Sequence, residues 1–114
     1  MNKLCINGRL VRDPELKNLE NNNSLCTFFI ANDVYAGGNK KTGFYKCTAF
    51  GKVAQNIAEY AQTGRELFIT GRLEQYSYAD QAGKKNTMTS ILVDQFDLGA
   101  IPKSAPKDQN QKTA

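Results

Sequence analysis

The chain has no histidine and no tryptophan, only three cysteines, and no long apolar run. Without histidine, the commonest general base and the imidazole metal ligand are both missing. The acidic residues are scattered, with no close pair placed for metal-ion or glycosidic chemistry. Cys5, Cys26 and Cys47 stand 21 residues apart, an odd set without the paired spacing of structural zinc. They are expected to be free, buried thiols, since a nucleophilic cysteine would need exposure and an activating partner. Gly37, Gly38 and Gly43 precede a strand, whereas a phosphate-binding loop must open a helix. No enzymatic chemistry, metal or cofactor is therefore expected. The longest apolar stretch is four or five residues around Cys26 to Ala31, far short of the roughly 20 that span a bilayer. Met1-Asn2-Lys3 leads directly into a patterned strand, so no secretory leader, no membrane association and a cytoplasmic location are expected.

What is present fits one soluble domain: 114 residues, 40% hydrophobic and 23% charged. A chain of this size buries a modest core, which makes oligomerisation a plausible source of further stability. The net charge of +4 is divided evenly. Residues 1–98 carry 12 basic and 10 acidic side chains, and residues 99–114 carry three lysines and one aspartate. An excess this mild decides nothing by its size, so its distribution matters.

Leu4, Ile6 and Leu10 recur at period two with Gly8, predicting a strand that ends at Asp13-Pro14. The asparagine-rich stretch Leu16 to Ser24 reads as a loop. Leu25 to Asp33 is a strand with apolar groups on both faces, and Ala36 to Gly43 is a basic, mobile hairpin tip. In the strand Phe44 to Phe50, Tyr45, Cys47 and Ala49 line one face and Phe44, Lys46, Thr48 and Phe50 the other. Val53, Ile57, Tyr60 and Ala61 form a helical stripe, with Gly64 as its cap. Glu66 to Tyr76 returns to period two, with Leu67, Ile69, Gly71 and Leu73 inward, and Gly71 suits a sharp bend in a small barrel. Asp80 to Asn86 is a second basic tip. Thr87 to Phe96 closes the pattern, with Thr89, Ile91, Val93 and Gln95 opposite Met88, Leu92 and Phe96. Three strands, one helix and two strands match the oligonucleotide/oligosaccharide-binding (OB) barrel, among other small β-rich folds. Residues 1–98 are the expected domain; residues 99–114 are expected to be a short disordered basic tail.

Function is most legible where rings alternate with cations. Phe44, Lys46 and Phe50 share a strand face, with Lys52 following. Arg72, Glu74, Tyr76 and Tyr78 share one outward parity and lead to Lys84 and Lys85. Tyr35 opens the other basic tip, beside Lys40 and Lys41. An exposed ring stacks on any nucleobase while lysine and arginine track phosphates, so such a surface binds single strands without reading sequence. The competing interpretation is packing: Phe28, Phe29 and Phe96 are expected in the core or between subunits. The lysine pairs would in isolation be ordinary solubilising charges.

These residues also resemble a known family. Asn2-Lys3-Leu4-Cys5-Ile6-Asn7-Gly8-Arg9-Leu10 followed by Asp13-Pro14-Glu15-Leu16, then Phe29-Ile30-Ala31-Asn32 and Phe50-Gly51-Lys52-Val53-Ala54 with Tyr60 and Gly64, carry part of the match. Gly71-Arg72-Leu73, Tyr78 and Asp80-Gln81-Ala82-Gly83-Lys84 complete it. Over Asn2 to Phe96 the chain is similar to bacterial-type single-stranded-DNA-binding proteins. The resemblance implies an all-β, five-stranded OB barrel with one short helix between strands 3 and 4. It also implies a homotetramer built as a dimer of dimers and binding of single-stranded DNA in replication, recombination or repair. Phe44, Phe50 and Tyr78 would fall at base-stacking positions, Tyr35 near another, and Arg72 and Lys84 at polar or basic positions. Cys5 and Asn7 would lie on the strand that pairs subunits. The basic end, Lys107 to Ala114, lacks the acidic, hydrophobic tip through which typical members recruit other proteins, so such recruitment is not expected. A short form of this kind would suit a phage, plasmid or accessory cellular version. Two rival readings remain: an OB module for RNA or beside a helicase, and a structural oligomer with its rings buried between subunits.

Overall fold

The computed structural model describes residues 1–101, the side chain of Asn22 excepted. Expectations for the basic tail beyond Ile101 lie outside the described residues. Among the described residues, six strands and one α-helix follow in order: β1 Leu4–Leu10, β2 Glu15–Asn18, β3 Ser24–Ala36, β4 Asn39–Phe50, α1 Gly51–Tyr60, β5 Glu66–Ala79 and β6 Lys85–Leu98. The sheet runs β1-β5-β6-β4-β3-β2, and a β1–β3 pairing at Arg9 and Leu10 closes it. Closure leaves the five long strands as an OB-type barrel, with β2 added to the outer edge of β3. The helix lies between the third and fourth of those long strands, which are β4 and β5 once β2 is numbered.

Period-two patterning holds the barrel together. Cys26, Phe28 and Ile30 of β3 point inward with Cys47 and Ala49 of β4, Leu67 and Ile69 of β5, and Ile91 and Val93 of β6. Ala54 and Ile57 of α1, with Ala61 beyond it, complete this core. Asp13 fastens the first loop to the turn after α1, its Oδ1 accepting from Thr63 N at 2.9 Å and Thr63 Oγ1 at 2.7 Å.

The structure corrects several expectations. Residues 15–18 form β2, paired with Ser24–Thr27, because the outer edge of β3 offers backbone partners that a free loop would leave to water. The 36–43 tip is a regular hairpin: β3 and β4 pair out to Ala36↔Asn39, and only Gly37 (φ 59°) and Gly38 (φ 80°) make the turn. Positive φ at both central residues is what a two-residue hairpin loop demands. Gly64 does not cap α1, which ends at Tyr60; at φ 85° it turns the chain into β5 and donates to Leu10 O at 2.8 Å. Leu73 has inward parity yet is exposed, since it is the last residue of β5 beside the β4–β6 contact, and from Glu74 onward β5 leaves the core with β6 as a two-stranded ribbon. A bulge follows Val93, where Gly71 pairs with Val93 but Thr70 with Gln95. The extra residue reverses parity, so Phe96 and Leu98 pack toward the core and Gln95 is exposed.

Candidate nucleic-acid interface

Cross-strand partners share a sheet face, so the register determines which side chains meet. Thr27, Phe29 and Ala31 pair with Thr48, Lys46 and Phe44. Thr48 pairs with Leu92, and Leu92, Ser90 and Met88 pair with Arg72, Glu74 and Tyr76. These residues form a continuous outward strip across β3, β4, β6 and β5. Because β4 meets β6 only at Cys47↔Ile91 and Thr48↔Leu92, the β3–β4 and β5–β6 hairpins are unpaired beyond that contact. The space between them is a shallow depression of about 210 Å³ lined by Lys46, Thr48, Phe50, Glu74, Tyr76, Ser90 and Leu92.

Rings along this strip are strongly exposed: Phe44 is 66% accessible, Phe50 52%, Tyr76 42% and Tyr78 45%. Phe50 owes its position to Gly51, whose φ of 65° turns the chain from β4 into α1 and leaves Phe50 as the helix N-cap residue. Lys46 is half-buried between the rings of its own strand. Lys52 follows on the first turn of α1 and is exposed.

The remaining candidates are dispersed. Arg72 stands on the Tyr76 row, its Nε 3.8 Å from Glu74 Oε1. Lys84 lies in the distal turn, which Asp80 builds: Asp80 Oδ1 accepts from Lys84 N at 2.8 Å and Ala82 N at 3.0 Å, and Oδ2 accepts from Asn86 Nδ2 at 3.1 Å. The Lys84 amide and the Asn86 side chain hold the Asp80 carboxyl below its ordinary pKa. Lys85 pairs with Ala79 and therefore shares the ribbon face opposite Tyr78. Tyr35, 74% accessible, lines a separate depression of about 280 Å³ with Arg9, Asp33, Asn7 and Glu66. There Asp33 accepts from Thr42 Oγ1 at 2.6 Å and pairs with Arg9 at 3.3 Å and Lys40 at 3.9 Å. The Thr42 bond, then these cations, keep its carboxyl pKa low.

Cys5 and Asn7 line a third depression of about 280 Å³ along β1 and β5, beside Phe68 and Phe96. β5 covers one edge of β1, while among the described residues no strand pairs with its other edge from Leu4 to Gly8. Asn7 Nδ2 donates to Glu66 Oε2 at 3.2 Å. Cys26 and Cys47 are buried, and burial pushes their thiols up to about 11 and about 12.

Two features escaped the sequence. The Arg12 guanidinium sits 4.7 Å from the centroid of Phe29, placing a cation on the strip beside Lys46. Nothing in the spacing of Arg12 and Phe29 announces that contact, because it joins a loop to the neighbouring strand. Glu74 also lines the Lys46 depression, although its outward parity was visible.

Comparison with known proteins gives a consistent result. Residues 1–98 match the profile of the Single-strand binding protein family. The chain is 33% identical to Single-stranded DNA-binding protein 1 of Lactococcus lactis, over 98% of this chain and 81% of that protein. It is 37% identical to the Single-stranded DNA-binding protein of Fusobacterium nucleatum, over 92% and 71%. Among solved structures, the Plasmodium falciparum SSB in complex with ssDNA superposes with a TM-score of 0.76 at 21% identity, covering 86% of this chain and 92% of that one, a likeness of fold.

Proposed function

The chain belongs to the single-strand binding protein family, and from that premise we propose that it coats and protects single-stranded DNA during replication, recombination and repair, without catalysing any reaction. Bases stack on Phe44, Phe50, Tyr76 and Tyr78, while Lys46, Lys52, Arg72 and Lys84 follow the phosphates. Tyr35 extends the path at its margin, and Lys85, on the other face of the ribbon, adds only to the charge of the distal turn. The observation that carries this reading is the meeting of Lys46, Phe50 and Tyr76 from two hairpins in one open depression. Rings this exposed have apolar faces available to bases, and a duplex, whose bases are already stacked, cannot use them. The distinguishing experiment titrates labelled oligo-dT and an equal-length duplex at two salt concentrations. Tight, salt-sensitive binding of oligo-dT and weak binding of the duplex are expected; equal affinity for both would refute the reading.

The same proposal includes a homotetramer assembled as a dimer of dimers. The uncovered edge of β1, next to Cys5, Asn7 and the exposed Phe68, offers backbone groups and apolar surface that a second copy could cover. Light scattering should give four times the chain mass; a monomer at micromolar concentration would exclude this assembly. No helix among the described residues is long and apolar enough to cross a membrane, and we place the protein in the cytoplasm, where its DNA is.

A further inference from the structure

We propose that Glu74 biases the binding track toward cytosine and adenine, whose exocyclic amine stands where thymine carries the O4 acceptor. The inference rests on the single-strand-binding reading above and deepens it, since stacking alone is indifferent to what a base carries on its edge.

A carboxylate is an unexpected group in a groove that holds a polyanion. Glu74 nevertheless lines the same depression as Lys46, Phe50 and Tyr76. It stands one step from Tyr76 along the outward row of β5 and directly across from Ser90. Among the described residues its carboxylate receives no hydrogen bond. Its ion-pair partner among the described residues is Arg72, whose Nε lies 3.8 Å from Oε1, beyond hydrogen-bond reach, with both side chains about half exposed. No ion pair joins it to Lys46 across the depression. The groove therefore contains an acceptor-only group with free lone pairs, beside two rings that present base faces to it.

A base lying flat on Phe50 or Tyr76 directs its edge, not its face, along the floor of the depression. Cytosine offers its N4 amine there and adenine its N6 amine, both donors to a carboxylate; thymine presents the O4 acceptor at the equivalent place. Contact with an amine satisfies Glu74, whereas contact with O4 sets two acceptors against each other. Phosphates are repelled by Glu74 whatever the base, so its charge weakens binding uniformly and its hydrogen bond restores affinity selectively.

These two effects separate in one experiment. Wild-type and Glu74→Gln protein are titrated in neutral buffer with oligo-dC and oligo-dT of about eight nucleotides, a length suited to one barrel. Glutamine keeps the shape, removes the charge and both donates and accepts, so it serves either base. Oligo-dT affinity should rise in the variant. The preference for dC relative to dT should fall by about fivefold, the lower end of one base-edge contact. An unchanged dC-to-dT ratio, even with tighter binding overall, would overturn the proposal and leave Glu74 as a repulsive charge. Arg72→Ala provides the second control: if it levels the ratio as fully as Glu74→Gln, Glu74 acts only by positioning Arg72, and the proposal also fails. Failure of the single-strand-binding reading would look different, because neither oligonucleotide would then bind better than a duplex.

Discussion

At the scale of single residues, parity along a strand was a dependable guide in the barrel wall up to the bulge in β6. Cys47 and Ala49 are buried while Phe44, Lys46 and Phe50 are outward or half-buried, as alternation in β4 requires. Contacts between a loop and a strand, such as Arg12 on Phe29, have no periodicity and were not legible. Chemical reactivity follows burial. With thiol pKa values pushed up to about 11 and about 12, Cys26 and Cys47 have at most roughly one thiolate in a thousand near neutral to mildly alkaline pH, and no path to a reagent. A thiol-exchange reagent is thus expected to titrate at most one cysteine quickly in the native protein, the exposed Cys5, and all three after unfolding. Rapid reaction of two or more native thiols would contradict the packing described.

Elements were legible in kind and less so in extent. The helix, the five long strands and their order could be read from periodicity. The true lengths of the hairpins could not, because Glu74 to Ala79 and Lys85 to Ser90 pair with each other outside the core and so carry no core-facing pattern. β2 was hidden for a related reason: all four of its residues are exposed, and it exists through its ladder with β3. The bulge after Val93 reversed the parity of β6, which alternation alone cannot anticipate. Gly71 sits opposite this bulge, and a Cβ there would collide with the Leu92 carbonyl and press on the Val93 backbone. Because neither neighbour is a flexible side-chain end, Gly71→Ala should destabilise the fold by about 3 kcal/mol, seen as a lower urea midpoint. An unchanged midpoint would mean that β5 and β6 do not approach as closely as described.

At the largest scale, the described residues combine a small closed barrel with two projecting hairpins, and the proposed binding track draws on charge spread over both. The excess in residues 1–98 is small, yet Lys46, Lys52, Arg72, Lys84 and Arg12 are distributed along or beside the outward strip. If about five of these contact phosphates, the logarithm of affinity should fall with the logarithm of salt at a slope of about −3.5. That is roughly a hundredfold loss between 50 and 200 mM. A fluorescence-anisotropy series across that range checks it, and a slope near zero would mean that cations contribute little. The central claim, that bases stack on the outward rings, has a more direct test because the chain contains no tryptophan. A single tryptophan placed at Phe50→Trp reports on the depression, and one at Phe68→Trp reports on the β1–β5 face outside it. Adding oligo-dT should quench Phe50→Trp emission in step with binding and leave Phe68→Trp nearly unchanged; no quenching at position 50, or equal quenching at both, would contradict the account.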